Sequence, residues 1–508
     1  MSSILESEQK CATGLDALLF ENRYARLPAP FFRAAVPHPL VGAHMASFNV
    51  ELGALLGLTA EAAFQRAFVD QLTGVSELPA AQPVAMAYAG HQFGHFVPQL
   101  GDGRALLLGQ VRDKQQQLWD LHLKGSGSTH FSRGSDGRAV LRSSIREYLC
   151  SEAMFGLGIP TTRALCLIAS REQVYRERAE PGAMLLRMAQ SHIRFGSFEF
   201  FYHRGDYDNL RRLGRYLLEG EFLHLRDTPA PYLALFGEVV TRTAKLIAQW
   251  QGVGFCHGVM NSDNMSILGL TLDYGPFAFL DVYEKGHICN HSDHQGRYAF
   301  QNQPEMAHFD LACLATAMLP LIDDDNEAAV TLMREQLAQY WPQFNATYRS
   351  IARSKLGLME CEKGDLELWQ QLLELMDEQV DYTRFFRALG AVPSSTSSTQ
   401  GTHHPQRNEF SDPLGFDLWM YEYRQRLQRE GRSDEARRTA MALVNPKYIL
   451  RNYMAETAIR AAEECGDYSE VDRLLSLLRN PFCEQPEMAH YAASPPLWAK
   501  ALQLSCSS

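Results

Sequence analysis

Several features that define large classes of protein are missing from this chain of 508 residues. No two of its ten cysteines are spaced as C-x-x-C, which argues against a zinc ribbon, and the chain is too long to need a disulfide scaffold. Its longest apolar runs, such as 314–322, fall short of the roughly 20 residues that a membrane span needs. We therefore expect reduced, mostly buried thiols and no membrane segment.

The chain also has fewer basic than acidic residues. Lys and Arg total 48 against 59 Asp and Glu, a net charge of −11, and a nucleic-acid binder needs a basic face for the phosphates. A small phosphorylated ligand held by a few local Arg and Lys remains compatible with this balance. The first ten residues contain two Glu and lack the basic-then-apolar order of a signal peptide. These features predict a cytoplasmic protein that binds neither nucleic acid nor membrane.

Hydrophobic patterning predicts an α+β fold. The runs 104–111 and 118–124, joined by a polar turn, are typical of antiparallel strands. Within 138–156, Leu141, Ile145 and Tyr148 share one helical face. A Ser/Thr/Pro-rich stretch at 392–413 predicts a flexible loop. Further helices are expected at 210–225, 232–252, 306–321, 327–355, 417–430, 433–444, 446–465 and 468–478.

Two neighbouring segments suggest phosphate binding. The turn 101–104 (GDGR) offers glycines that let backbone approach a phosphate and an Arg that adds charge, although an ordinary hairpin turn is the alternative. Lys124 ends a strand and precedes a helix with acidic residues. Protein kinases use the same order, in which a Glu on the helix holds the Lys near the phosphates. A helical wheel favours Glu152 over Glu147 as its partner, and a solvated surface position for either is the alternative.

The most specific motif is 257–264 (HGVMNSDN), followed by Asp273-Tyr274-Gly275. Kinase-like enzymes use a His-containing loop, an Asn several residues on and then Asp-x-Gly, and the Asn and Asp hold magnesium. Asn264 and Asp273 fill these positions. The usual base position, two residues after the His, is Val259, so that base is missing or moved to Asp263.

Other polar residues are weaker candidates. Arg187 and Arg194 lie in apolar surroundings and need an anionic partner, either a phosphate or an internal salt bridge. Asp136 and Gly137 resemble a further phosphate or ribose contact. The stretch 91–95 (HQFGH) has the His spacing of a zinc protease but Gln in place of the Glu base, and it predicts aromatic core packing instead.

Four segments together resemble the selenoprotein O (YdiU) family: GHQFGHFVPQLGDGRALLLG, LHLKGSGSTHFSRGSDGRAVLRSSIREYL, HGVMNSDNMSILGLTLDYGPFAFLD and NPKYILRNYMAETAI. The resemblance runs from about Asn22 to the last residue, interrupted at 392–413. It implies a protein-kinase-like two-lobed fold with a helical C-terminal extension. It also implies transfer of AMP from ATP onto Ser, Thr or Tyr hydroxyls of proteins, with the nucleotide reversed relative to a kinase. Some members are described as using UTP and manganese, so the choice between ATP and UTP stays open.

The resemblance also implies site residues. It makes Asp263 the general base, Asn264 and Asp273 the ligands of Mg²⁺ or Mn²⁺, and Glu147, against the wheel, the partner of Lys124. Animal members carry selenocysteine near the C-terminus, where this chain has Cys506; a regulatory disulfide from Cys506 to Cys289 is a hypothesis, and two unrelated thiols are the alternative. The implied nucleotide contacts are Gly101, Gly103, Arg104, Lys124, Asp136, Gly137, Arg187, Arg194 and Asp273.

We expect a monomer with an N-terminal extension (1–80), a kinase-like N-lobe (81–190), a helical C-lobe with the active site (191–392), a flexible loop (393–413) and a C-terminal helical region (414–508). Two other functions stay open. One is a protein or small-molecule kinase with Asp263 as a relocated base. The other is a catalytically dead nucleotide-binding scaffold, which Val259 favours and which the retained Asn264 and Asp273 disfavour.

Overall fold

A computed structural model of the chain describes residues 14–395, 404–502 and 504. These residues form two compact units whose segments alternate along the chain. The first, here called the sheet unit, comprises the chain up to Ala87, Gly101–Ser144 and Arg163–His192. The second, the helical unit, comprises Tyr88–Leu100, Ile145–Thr162 and the chain from Ile193 onward. A mixed α+β composition, as predicted, is confirmed.

The sheet unit is built on one antiparallel sheet with the strand order β1-β3-β6-β7-β10-β9-β2, and β8 pairs with β10. The short pairs β4–β5 and β11–β12 belong to the helical unit. The strands are Phe32–Ala34 (β1), His44–Phe48 (β2), Val84–Met86 (β3), Gly90–Gln92 (β4), His95–Val97 (β5), Ala105–Arg112 (β6), Leu118–Lys124 (β7), Ala139–Val140 (β8), Arg163–Tyr175 (β9), Ala179–Ala189 (β10), Phe255–Cys256 (β11) and Ala278–Phe279 (β12).

The predicted hairpin is confirmed as β6 and β7, which pair antiparallel. Asp113 closes its turn, because one carboxylate oxygen accepts hydrogen bonds from the main-chain N–H of Gln115 and Gln117. The longer hairpin β9–β10 was not predicted. Its residues are buried almost continuously from Arg163 to Ser170 and from Gly182 to Ala189, so the polar alternation of a half-exposed strand is absent.

Helices supply most of the helical unit, and three shorter ones, α1 to α3, belong to the sheet unit. The helices are Val50–Leu56 (α1), Ala60–Ala63 (α2), Arg66–Thr73 (α3), Leu141–Gly156 (α4), Phe195–Tyr202 (α5), Tyr207–Leu218 (α6), Pro231–Val253 (α7), Gln303–Ile322 (α8), Asn326–Leu337 (α9), Tyr340–Lys355 (α10), Asp365–Met376 (α11), Tyr382–Leu389 (α12), Pro413–Glu430 (α13), Asp434–Ala442 (α14), Asn452–Cys465 (α15) and Ser469–Arg479 (α16).

Three helix predictions need correction. The helix predicted over 210–225 is α6, which ends at Leu218, and a separate 3-10 turn follows at Leu223–Leu225. The stretch 327–355 is two helices, α9 and α10, rather than one. The helix predicted from residue 446 begins at Asn452, and the side chain of the extended N-cap residue Arg451 pairs with Asp281 and Asp381. The two carboxylates neutralise the buried charge of Arg451. They also link the end of the NPKYILRN motif to residues that follow Asp273 in the chain.

One apolar stretch also departs from expectation. Phe300–Ile322 is long and apolar enough to cross a membrane by length and composition, with a mean hydropathy of 1.3. However, 44% of this window is buried, and α8 within it packs against α5, α7 and α9. The core helix of a soluble protein has the same properties, so the stretch is weak evidence for a membrane span.

The predicted flexible loop is described in part, since 396–403 lie outside the described residues. The following residues are packed rather than solvated. His404 is buried, with Nε2 3.1 Å from the Phe385 carbonyl oxygen, and Gln406 is buried beside it. A short 3-10 turn, Arg407–Glu409, then leads to α13.

Candidate active site

The loop after β11 begins with His257, whose side chain bonds to the segment that carries Asp273. His257 Nε2 lies 3.0 Å from the carbonyl oxygen of Leu272, the residue before Asp273. Burial lowers the pKa of His257, so its ring is neutral and Nε2–H is the donor. The ring also stacks on Trp250, with centroids 5.3 Å apart and an interplanar angle of 12°. His257 therefore connects its own loop to the segment that carries Asp273.

Asp263 lies in the 3-10 turn Ser262–Asn264, which this loop positions. Its side chain is buried; Gln92 Nε2 donates to Oδ2 at 3.1 Å, and Oδ1 has no hydrogen-bond partner among the described residues. Burial raises the pKa of Asp263 to about 7, and the positive charge of Arg194 limits that rise. A carboxylate with a pKa near neutrality and one unengaged oxygen is suited to general-base catalysis.

Arg194 brings the two acidic site residues together. Its Nη1 lies 2.8 Å from the main-chain oxygen of Asp263 and 2.5 Å from Oδ2 of Asp273. Its guanidinium also lies 4.5 Å from the centroid of the Tyr88 ring, within range of a cation–π contact. The internal salt bridge left open by the sequence is thus present for Arg194, and it places the Asp-x-Gly carboxylate beside the turn that bears Asp263.

Asp273 and Asn264 offer oxygen donors suited to a hard divalent cation. Asp273 has a φ of +58°, which is uncommon for a residue other than glycine and is found preferentially at functional sites. Asn264 donates from Nδ2 to the Val259 carbonyl at 3.0 Å, which leaves its amide oxygen as the side-chain donor for a metal. A carboxylate and an amide oxygen form the type of ligand set that Mg²⁺ and Mn²⁺ prefer.

Strand β4 supports this turn directly. Main-chain N–H of His91 donates to Ser262 Oγ at 2.7 Å, and Gln92 contacts Asp263. A Cβ atom at Gly90 would stand 2.7 Å from Asp263 Oδ1, so only glycine allows this approach. The 91–95 stretch is therefore a hairpin, which excludes the helical zinc-protease arrangement.

The prediction of aromatic packing for 91–95 is incomplete. The His91 ring does contact Phe96 and Phe309. The sequence analysis missed Gln92 as a site residue, because 171 positions separate it from Asp263 and no local pattern connects the two.

In the sheet unit, a chain of buried polar groups positions Arg187. Arg187 Nη2 lies 2.8 Å from His122 Nδ1, and His122 Nε2 lies 3.0 Å from Asp102 Oδ2. Burial lowers the pKa of His122 to about 4, so the ring is neutral. Nδ1 then accepts from Arg187 and Nε2–H donates to Asp102. Lys124, at the end of β7, is buried in the same unit.

The glycine-rich segments of the sheet unit are closely packed. Gly101 has a φ of +81° and faces the Phe131 ring, with which a Cβ atom would collide at 2.4 Å; Arg104 is exposed. Asp136 accepts hydrogen bonds from both terminal nitrogens of Arg176 at 2.8 Å, and this partner lowers the pKa of Asp136. Asp136 thus anchors its own loop, and its contact with a nucleotide stays a prediction.

The two candidate partners of Lys124 are both buried, so a solvated position is wrong for each. Glu152, favoured by the helical wheel, has Oε2 3.5 Å from Arg479 Nε within the helical unit. Its fully buried charge is therefore matched by an Arg near the end of α16. The assignment of Glu147 as the partner of Lys124 stays a prediction.

Cys289 is buried, and its sulfur lies 3.4 Å from Cys256 Sγ. Cys506 lies outside the described residues, so a disulfide between Cys289 and Cys506 stays a prediction. The expectation of mostly buried cysteines holds in part, because Cys361, Cys465 and Cys483 are exposed.

Comparison with known proteins identifies close relatives over nearly the whole chain. A family model described as "Protein adenylyltransferase SelO" matches residues 15–479. "Protein nucleotidyltransferase YdiU" of Thioalkalivibrio sulfidiphilus is 53% identical over 500 residues, which cover 97% of this chain and 99% of that protein. Proteins of the same name from Myxococcus xanthus and Pseudomonas fluorescens are 53% and 50% identical, with the same coverage.

Proposed function

Because the chain belongs to the SelO family of protein adenylyltransferases and is a protein nucleotidyltransferase, we propose that it moves AMP from ATP onto Ser, Thr or Tyr hydroxyls of proteins, on a kinase-like two-lobed fold. The observation that carries this proposal is the grouping of Asp263 and Asp273 around Arg194. Valine at position 259 removes the usual kinase base, whereas the metal-binding positions after it are kept.

The phosphates of the nucleotide are assigned to cationic and glycine residues. Lys124 and Arg187 are buried cations, and Arg187 is oriented by neutral His122. We assign Glu147 to Lys124, and this choice is supported by the pairing of Glu152 with Arg479. The remaining assigned contacts are Gly101, Gly103, Arg104, Asp136, Gly137, Arg194 and Asp273.

Asn264 and Asp273 would hold Mg²⁺ or Mn²⁺. When bound, such an ion neutralises charge on the triphosphate and on the departing pyrophosphate. Arg194 holds the Asp273 carboxylate in place, and His257 holds the segment before it. These contacts give Asp273 a defined orientation before any ligand arrives, which reduces the reorganisation that the reaction requires.

Asp263 is assigned as the general base that accepts the proton of the acceptor hydroxyl. Its Oδ1 is buried and has no hydrogen-bond partner among the described residues, and Gln92 fixes Oδ2. With a pKa of about 7, a substantial fraction of Asp263 is ionised at neutral pH, and the ionised form accepts the proton. Attack at the α-phosphorus then releases pyrophosphate and leaves AMP on the protein.

Labelled nucleotides test the proposal. With ATP and Mg²⁺ or Mn²⁺, label from the α-phosphate should appear on protein and label from the γ-phosphate should not. Transfer of γ-label would identify a kinase with Asp263 as its relocated base. Nucleotide binding without transfer of either label would identify a scaffold. A parallel reaction with α-labelled UTP measures the preference between AMP and UMP.

Loss of the Gln92 side-chain amide should change the pH dependence of transfer. Its hydrogen bond lowers the pKa of Asp263, so Gln92→Leu should raise that pKa. Transfer requires ionised Asp263, so the rate should still rise with pH, but the rise should occur at higher pH than in the parent. Rates measured from pH 5 to 9 check this, with exposed Gln370→Leu on α11 as the control. An unchanged profile with lower activity would show that Gln92 does not act through Asp263.

A further inference from the structure

A second group of ligand-type side chains lies in the helical unit, outside the proposed site. It consists of His91 on β4, Glu199 on α5 and Cys313 on α8. One ligand atom from each lies within 4.8 Å of the others, and His91 Nδ1 is 2.5 Å from Glu199 Oε2. An imidazole, a carboxylate and a thiol on three different elements thus converge on one point.

Two buried carboxylates in this region have oxygen atoms without hydrogen-bond partners among the described residues. Glu199 is fully buried, and its Oε1 has no hydrogen-bond partner among the described residues. Asp310 lies one turn before Cys313 on α8; it is 1% exposed, and neither of its oxygens has a partner in the described part of the chain. Burying an ionised carboxylate without a partner is costly.

The charged and titratable groups around these acids leave the region short of positive charge. Glu199, Asp263 and Cys313 all interact electrostatically with Asp310, and Arg297 is the cation that acts on it. His203 lies beside His91, and burial lowers its pKa, so it adds little positive charge at neutral pH. A cation at the convergence point would balance this charge.

We propose that His91, Glu199 and Cys313 bind a divalent transition metal of the zinc type, with a water molecule as the fourth ligand and Asp310 as a nearby negative charge. Zinc is bound in proteins by imidazole nitrogen, thiolate sulfur and carboxylate oxygen in fourfold sites. The ion displaces the thiol proton of Cys313, so binding releases a proton. The set differs in chemistry from the oxygen-only pair Asn264 and Asp273, which suits magnesium or manganese.

The position of this site gives it a structural role. It joins β4 to α5 and α8, and β4 carries both the His91 N–H bond to Ser262 and the Gln92 bond to Asp263. A metal here would therefore fix the strand on which the proposed base rests. The site is independent of the identity of the transferred nucleotide, so it can be tested separately from the proposed function.

Metal content and cobalt spectroscopy of the full-length chain test the proposal. Protein produced with zinc should contain about one zinc per chain by mass spectrometry. Protein reloaded with Co²⁺ should show a thiolate-to-cobalt charge-transfer band and the visible bands of a tetrahedral ion. Cys313→Ala should lose the charge-transfer band, and the near-isosteric Glu199→Gln should weaken binding. Exposed Cys361→Ala and the magnesium-site variant Asp273→Asn should retain the band.

Thermal unfolding supplies a readout that does not depend on activity. Chelation should lower the Tm of the parent and of Cys361→Ala, and it should leave the Tm of Cys313→Ala unchanged. Circular dichroism shows whether Cys313→Ala folds. If it does not fold, Glu199→Gln takes its place in the chelation experiment. Parent protein without zinc, cobalt bound without a thiolate band, or equal cobalt binding by folded Cys313→Ala would each overturn the proposal.

Discussion

An Asp273→Ala chain is expected to transfer no detectable AMP and to lose tight binding of metal–nucleotide. Asp273 is the carboxylate at the Asp-x-Gly position, whereas its proposed co-ligand Asn264 is neutral, so the substitution removes the ligand charge that these two residues offer to a divalent cation. Calorimetry with a non-hydrolysable ATP analogue, with and without Mg²⁺ or Mn²⁺, measures the loss. In the parent chain the metal should strengthen nucleotide binding, and in the variant it should not.

The same substitution removes the ion pair between Asp273 and buried Arg194, so a folding defect must be separated from a metal defect. Asp273→Asn keeps the side-chain shape and serves as the second variant. Thermal unfolding of both variants shows whether the fold is intact. Normal metal–nucleotide binding by folded Asp273→Ala would show that the metal site is assigned to the wrong residues.

The second large effect is expected from Asp263→Asn. An amide has nearly the shape of the carboxylate but cannot take a proton from a hydroxyl, so transfer should fall by about 10²–10⁴-fold, the usual contribution of a general base. Nucleotide binding should stay within a few-fold of the parent, because Asp263 is not a proposed metal ligand. Single-turnover transfer of α-label, with binding measured on the same preparation, checks both halves.

The pH dependence identifies the role of Asp263 more specifically than the rate alone. In the parent, the rate should rise as pH passes through about 7, where Asp263 ionises. In Asp263→Asn the residual rate should lack this rise. A variant that keeps both the parental pH profile and more than a tenth of the parental rate would exclude Asp263 as the base.

The sequence was sufficient for the parts of the protein that short-range patterns encode. The hairpin β6–β7 follows from two strand-like runs joined by a polar turn, and the helices α7 and α8 follow from helical periodicity. The candidate residues Asn264, Asp263 and Asp273 were also recognisable, since the motif that contains them is short and its spacing is constrained by metal chemistry.

Long-range placement was decided by the tertiary structure. The choice between a salt bridge and a phosphate for Arg194 could not be made locally, because its partner Asp273 is 79 positions away. A helical wheel favoured Glu152 as the partner of Lys124, but a wheel gives only a direction, and the contact of Glu152 with Arg479 appears only in the folded chain.

The sequence by itself thus determined the α+β class, the hairpin β6–β7 and the choice of Asp263, Asn264 and Asp273 as the loop residues proposed to carry the chemistry. Only the tertiary structure decided which groups contact them, namely Gln92 on Asp263 and Arg194 on Asp273, and it alone brought Glu199 beside His91. The physical reason is that secondary structure follows from the period of burial along the chain, whereas a pKa or an ion pair depends on atoms that approach only when distant segments pack together.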